Sequence, residues 1–284
     1  MGESVKHILT VQDISCVGRC SLTVALPIIS ALGVEASVLP TALLSTHTLF
    51  PSPAVCDLTE QLPHIAAHWR ALGLTFDGIY TGYLGSPAQL EWVGDFIDEF
   101  RGEGFVFVDP VMGDHGRLYS RFTPDFAGRM ARLCAKADVI VPNLTEACLL
   151  LGRPYIGERY DEAQIRELLR ALISLGAKKA IITGVSFSPE TLGAVAYDGE
   201  KGGYVSSFGA RLGDSFHGTG DIFASVCAGM LAGGHSLGEA IETAVAFTCE
   251  CIRQTIGSPR DKAFGVNFEL ALPMLMTKKS RGNG

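Results

Sequence analysis

Asp214-Ser215-Phe216-His217-Gly218-Thr219-Gly220-Asp221 runs directly into an apolar stretch with helical spacing, residues 221–231. Two glycines let backbone N–H groups approach a ligand closely. The helix start adds unpaired donors and a positive dipole end. The segment thus reads as an anion cradle suited to phosphate. Asp221 at its edge is placed to take a proton from a substrate hydroxyl. The competing reading is a tight turn with an acidic residue favoured at a helix start.

Upstream, short apolar runs alternate with longer amphipathic ones. Residues 8–11, 36–39, 78–80, 105–108, 139–141 and 180–182 are brief and bounded by Gly, Pro, Asp or Asn, and they predict buried strands. Residues 58–72, 88–100, 125–135 and 162–175 carry apolar residues at three- and four-residue spacing and predict helices. Pro27, inside a helical pattern after Cys20, predicts a kink or a late helix start. This alternation predicts an α/β fold with a mainly parallel central sheet flanked by helices on both faces. Residues 192–197 and 203–208, joined by Asp198-Gly199-Glu200-Lys201-Gly202, predict an antiparallel hairpin at the sheet edge. Two apolar helices, 221–231 and 237–256, follow. With no linker, repeat or low-complexity tract, one domain is expected over residues 1–284, ending in a flexible tail at about 277–284.

In open parallel sheets, ligands gather at the carboxyl ends of strands, so the polar segments there carry the most information. Asp109-Pro110-Val111-Met112-Gly113-Asp114 follows one strand. Two carboxylates at that place suit Mg²⁺ or a metal-bound phosphate; an Asp-Pro turn is the plainer reading. Asn143-Leu144-Thr145-Glu146 follows another. Glu146 could hold a metal's water shell, yet Asn with Glu three residues later is also a capping box, as in Ser236-Leu237-Gly238-Glu239. Asp13 ends the first strand, Thr48 lies in Ser45-Thr46-His47-Thr48, and Tyr83 lies in Thr81-Gly82-Tyr83-Leu84-Gly85. Each could offer hydrogen bonds or an aromatic wall to a small ring, or be ordinary loop polarity. His47 has no Cys or His at metal spacing and is not expected to be a ligand.

Composition narrows the class. Of 284 residues 47% are hydrophobic and 19% charged, enough for a sizeable core. The net charge of −7 comes with no basic stripe, which argues against nucleic acid. The cluster Lys278-Lys279-Ser280-Arg281 belongs to the solvated tail. The eight cysteines form no CxxC pair, and no secretory signal or membrane-length apolar run is present. Reduced cysteines in a cytoplasmic protein are expected.

The ordered set Asp-Pro-Val-Met-Gly-Asp, Asn-x-x-Glu and Gly-Thr-Gly-Asp before an apolar helix resembles the ribokinase-like superfamily, and within it the pyridoxal kinases. The resemblance spans about residues 8–256. It implies a ribokinase-like fold and ATP-dependent phosphorylation of the 5′-hydroxymethyl group of pyridoxal, pyridoxine or pyridoxamine. It implies Asp221 as general base, with Gly218, Thr219 and Gly220 cradling the transferred phosphoryl group. Asp109, Asp114, Asn143 and Glu146 are implied to serve phosphates and Mg²⁺, with Asp109, Asp114 and Glu146 the metal residues. Thr183 matches a nucleotide contact, and Thr48 and Tyr83 match substrate contacts. A monovalent cation and a homodimer are also in keeping with the family. Two departures bear on the substrate. Many pyridoxal kinases carry Ser where Asp13 stands. The His217-Gly218-Thr219-Gly220 portion is similar to hydroxymethylpyrimidine kinases, several of which carry Cys in place of Asp221. The remaining readings are a hydroxymethylpyrimidine or sugar kinase, a non-catalytic ligand sensor that intact Asp221 argues against, and a dinucleotide-binding Rossmann enzyme. The last would need its Gly-rich turn after the first strand, where Asp13-Ile14-Ser15-Cys16-Val17-Gly18 does not fit.

Overall fold

The computed structural model describes residues 5–157, 159–213, 216–259 and 262–277. The tail at 278–284 and Asp214-Ser215 lie outside the described residues. The chain runs β1 (His7–Ser15), α1 (Leu22–Ala31), β2 (Glu35–Leu44), β3 (Val55–Asp57), α2 (Leu62–Ala71), β4 (Gly78–Thr81) and α3 (Pro87–Phe100). It continues through β5 (Phe105–Val108), β6 (Gly113–Asp114), β7 (Arg117–Leu118), α4 (Pro124–Cys134), β8 (Val139–Ile140), α5 (Leu144–Leu150) and α6 (Glu162–Ile173). Then come β9 (Lys179–Val185), β10 (Thr191–Asp198), β11 (Gly203–Ala210), α7 (Thr219–Ala232), α8 (Leu237–Ile256) and α9 (Pro273–Met276).

The main sheet has the order β11-β10-β9-β8-β5-β4-β1-β2-β3. Its centre, from β9 to β2, is parallel, while β10–β11 and β3 add antiparallel edges. Successive strand residues point to opposite faces, so each strand feeds two cores. Leu9, Val11, Ile79, Val106 and Ile182 pack with α2 to α6. Ile8, Tyr80, Phe107 and Ile181 pack with α1, α7, α8 and α9. Burial on both faces explains why these strands read as continuous apolar runs.

The expected mainly parallel sheet, its two helical layers and the edge hairpin are all present. Other details differ for local reasons. The predicted helix at 58–72 begins only at Leu62, because Asp57 first caps a turn through the Thr59 N–H. Pro27 sits inside α1 rather than delaying its start. β3 and the small β6–β7 hairpin carry too few residues to show a period.

Candidate active site

The carboxyl ends of β1, β2, β4, β5, β8 and β9 surround a cavity of about 610 Å³ together with the start of α7. Its lining includes Asp13, Thr48, Tyr83, Asp109, Asn143, Glu146, Thr183, Gly218, Gly220 and Asp221. Residues more than two hundred positions apart are thus gathered at one end of the sheet.

Gly218 is the hinge of the cradle. Its φ of 81° lies in the left-handed region, and a Cβ there would meet the Arg19 carbonyl oxygen at 2.3 Å. Only glycine fits. A Cβ on Gly220 would meet nothing, so open space lies over the first turn of α7, as a bound phosphate requires. The Thr219 hydroxyl donates to the Phe216 carbonyl at 3.0 Å, and Thr219 is not among the lining residues. Its part in the cradle is confined to its backbone and to fixing the turn.

Asp221 occupies the first turn of α7 and accepts a hydrogen bond from the Ser21 N–H. Burial pushes its carboxyl up to about 7, despite that bond, and the charge of Asp13 adds to the rise. Ser21 has φ 50°, an uncommon conformation for a non-glycine residue. The turn that adopts it aims one N–H at Asp221 while the Ser21 side chain bonds Asp13. Asp13 sits where the β1–β2 register shifts, a bulge that re-aims its side chain. The Ser15 hydroxyl also donates to it, at 3.4 Å, and burial raises its carboxyl.

Glu146 is 3% exposed and lines the cavity. One oxygen accepts from the Asn143 N–H at 2.9 Å while the Asn143 side chain accepts from the Glu146 N–H, so the capping box is present. The other oxygen accepts from the N–H groups of Met112 and Gly113 at 3.0 and 3.4 Å. Glu146 therefore ties the loop after β5 to the loop after β8. Asp109 faces it, 7% exposed, and within the described residues its carboxylate accepts no hydrogen bond. Burial and the nearby charges of Glu146 and Asp221 raise Asp109 well above the usual carboxylate range.

A buried carboxylate pair with one member lacking any donor fits a cation. No group of three or more candidate ligands occurs among the described residues. The fit is to an ion such as Mg²⁺ that keeps most of its waters. Asp114 lies at the edge of this carboxylate pair, and its charge adds to the rise of Glu146. Its side chain is about half exposed, its carboxylate binds the His115 N–H at 2.8 Å, and it is not among the lining residues.

Thr183, on β9, is bridged to Asn143 across the gap beyond β8, placing both on one wall. Tyr83 is half-buried and packs its ring 5.8 Å from that of Phe122; Thr48 is exposed at the rim. Sequence reasoning missed several lining residues. Ser21 and Cys20 precede α1 with no distinguishing pattern. Arg121 lies in a surface turn. The His47 and His217 rings lie 4.0 Å apart between centroids, tilted by 31°. The His47 Nε2 donates to the Ala263 carbonyl. Burial and the His47 neighbour lower His217 to about 4, so it is neutral near pH 7. The motif's own His217 was the one available signal for that pair.

A model of the phosphomethylpyrimidine kinase family matches residues 26–264. The chain belongs to that family. A Bacteroides thetaiotaomicron protein described as a phosphomethylpyrimidine kinase, one crystal form of which contains pyridoxal, is 42% identical and superposes with a TM-score of 0.91 over 96% of each chain. A pyridoxal kinase from Lactobacillus plantarum is 36% identical, with a TM-score of 0.89, over 96% of this chain and 98% of its own. Pyridoxal kinase PdxY of Pasteurella multocida is 29% identical over 195 residues, and this chain spans 64% of that relative's length. The fold of this kinase-family chain is ribokinase-like, and no helix among the described residues is long and apolar enough to cross a membrane.

Proposed function

We propose that this chain transfers the γ-phosphoryl group of ATP to the 5′-hydroxymethyl group of pyridoxal, pyridoxine or pyridoxamine. The observation that carries the reading is the juxtaposition of Asp221 with an open glycine cradle inside a cavity large enough for a small ring. Relatives named as pyridoxal kinases, and the relative crystallised with pyridoxal, support the acceptor.

In this reading Asp221 removes the hydroxyl proton. Its raised carboxyl suits a base working near neutral pH. The backbone N–H groups of residues 218–220 stabilise charge on the transferring group. Such catalysis needs positioning and electrostatics rather than a covalent nucleophile, so none of the eight free cysteines is required. Asp13, Thr48 and Tyr83 bound the acceptor side; Asn143, Glu146 and Thr183 bound the nucleotide side. Asp109 and Glu146 would hold Mg²⁺ through its waters, with the charge of Asp114 adding to the site from its edge. When bound, the ion offsets charge on the phosphate oxygens. A monovalent cation, a homodimeric assembly and a cytoplasmic location belong to the same reading.

The family match favours one second reading, a hydroxymethylpyrimidine kinase. ATP-dependent phosphorylation measured across pyridoxal, pyridoxamine, pyridoxine, hydroxymethylpyrimidine and ribose separates them. At least one B6 vitamer is expected to have the highest kcat/KM. A tenfold lead for hydroxymethylpyrimidine, about 1.4 kcal/mol of transition-state preference, would transfer the assignment to the second reading.

A further inference from the structure

Four carboxylates line the cavity: Asp13, Asp109, Glu146 and Asp221. Its two histidines, His47 and His217, are both shifted toward the neutral form by burial. Among the described residues in the lining, Arg121 is the one permanently positive side chain. Neither motif reading nor the mechanism above uses it.

Arg121 is held at the cavity mouth by its neighbours. The Tyr119 N–H donates to the Met112 carbonyl at 2.9 Å, and the Phe122 N–H donates back to the Tyr119 carbonyl at 2.9 Å. Residues 119–122 thus form a closed turn with Arg121 at its tip. Phe122 anchors the turn inward, stacked on Phe126 at 3.9 Å and packed against Tyr83 at 5.8 Å. Among the described residues the Arg121 guanidinium makes no hydrogen bond or ion pair. Its donors are free for a ligand.

The charge of Arg121 is felt at Tyr83. Burial raises the Tyr83 phenol, and Arg121 works against that rise. Asp57, lowered chiefly by its bond from the Thr59 hydroxyl, also responds to Arg121. Tyr119, two residues away, is raised by burial and then by Glu146, Asp114, Asp109 and Asp221. The turn that carries Arg121 packs through Phe122 against Tyr83, which bounds the acceptor side in the reading above, and Arg121 lines the same cavity.

We propose that Arg121 is a specificity-determining residue whose guanidinium pairs with a ring-borne oxyanion of the acceptor, the phenolate of a 3-hydroxypyridine. This rests on the B6 reading above. Near neutral pH a 3-hydroxypyridine exists largely as a pyridinium phenolate, so its ring oxygen is negatively charged. An aminopyrimidine of similar size carries no such oxygen. A free guanidinium lining the cavity thus separates two acceptors that a small apolar pocket alone distinguishes poorly.

The test compares pyridoxine with 3-deoxypyridoxine, in which hydrogen replaces the ring hydroxyl, in the wild type and in Arg121→Gln and Arg121→Lys. Arg121→Gln is expected to lower kcat/KM for pyridoxine about tenfold, mainly through KM, as for loss of one charge-assisted hydrogen bond. It should change 3-deoxypyridoxine and the KM for ATP by less than about twofold. Arg121→Lys should recover part of the loss. An equal loss on both acceptors, or a loss that appears in the KM for ATP, would overturn the assignment of Arg121 while leaving the kinase reading standing. A wild type inactive on every B6 vitamer would overturn the functional reading and this one with it. Because the turn tip is exposed, melting temperature should hold in both variants.

Discussion

At the scale of single residues, the base role proposed for Asp221 links stability to function. Its carboxyl is raised from an ordinary value near 4 to about 7, with burial the main cause. A base must be ionised to act, so kcat/KM should climb as pH rises through about 7 and level off above it. Asp221→Asn should abolish that limb and cut kcat at least about 10²-fold. The stability sign is opposite. The folded state holds this proton more tightly than the unfolded chain, so the contribution is fully present below about pH 4 and is lost as pH rises through about 7. Asp221→Asn escapes that loss, and at pH 8 its melting temperature should equal or exceed the wild type's. A variant with normal turnover, or one unfolding well below wild type at pH 8, would contradict the role. Asp221 was legible in sequence because its glycine partners are its chain neighbours. Ser21, which donates to it across the fold, was not, since a serine before a helix reads as a cap. Arg121 was hidden likewise, because only the folded turn brings it into the cavity that Tyr83 also lines. Asp114 was legible only as a motif member: in the fold its half-exposed carboxylate accepts the His115 N–H, while its charge still raises Glu146.

At the scale of elements, three helices begin with the same box and differ in what it touches. Asn143–Glu146 opens α5, Asp161–Gln164 opens α6, and Ser236–Glu239 opens α8. Spacing alone could not tell them apart. It could not reveal α5 either, whose seven residues are mostly buried and show no amphipathic period. The Glu146 carboxylate closes its box and also accepts the Met112 and Gly113 N–H groups. Glu146→Gln sets an amide NH₂ against one or two of those donors. The cost should be about 1–3 kcal/mol, as for a buried unsatisfied group, together with a raised Mg²⁺ requirement. Glu239→Gln, in an exposed box, should cost a fraction of a kcal/mol and leave the metal dependence unmoved. Denaturant melts and Mg²⁺ titrations of both variants provide the comparison. Equal, small effects would reduce Glu146 to a cap.

At the scale of the whole molecule, the alternation of runs made the parallel sheet legible, but not its order. The β9-β8-β5-β4-β1-β2 sequence depends on which side each crossover takes, and no local pattern records that. The order has an energetic consequence, because it brings Asp13, Asp109, Glu146 and Asp221 to one end of the sheet. Burial raises all four carboxyls, and the charge of Glu146 and Asp221 raises Asp109 further. Raised groups ionise only as pH climbs, so without a cation the folded state should lose stability between pH 6 and pH 8. A divalent ion competes with those protons and relieves the repulsion. At about 100 times its Kd it adds about 2.7 kcal/mol, worth several degrees in a chain of this length. Mg²⁺ alone should therefore raise the melting temperature, and by more at pH 8 than at pH 6. Asp109→Asn removes the carboxylate that lacks a donor. It should make the metal-free protein more stable at pH 8 and abolish most of the Mg²⁺ response. An Mg²⁺ effect that is independent of pH, or that survives intact in Asp109→Asn, would mean the ion acts elsewhere on the molecule.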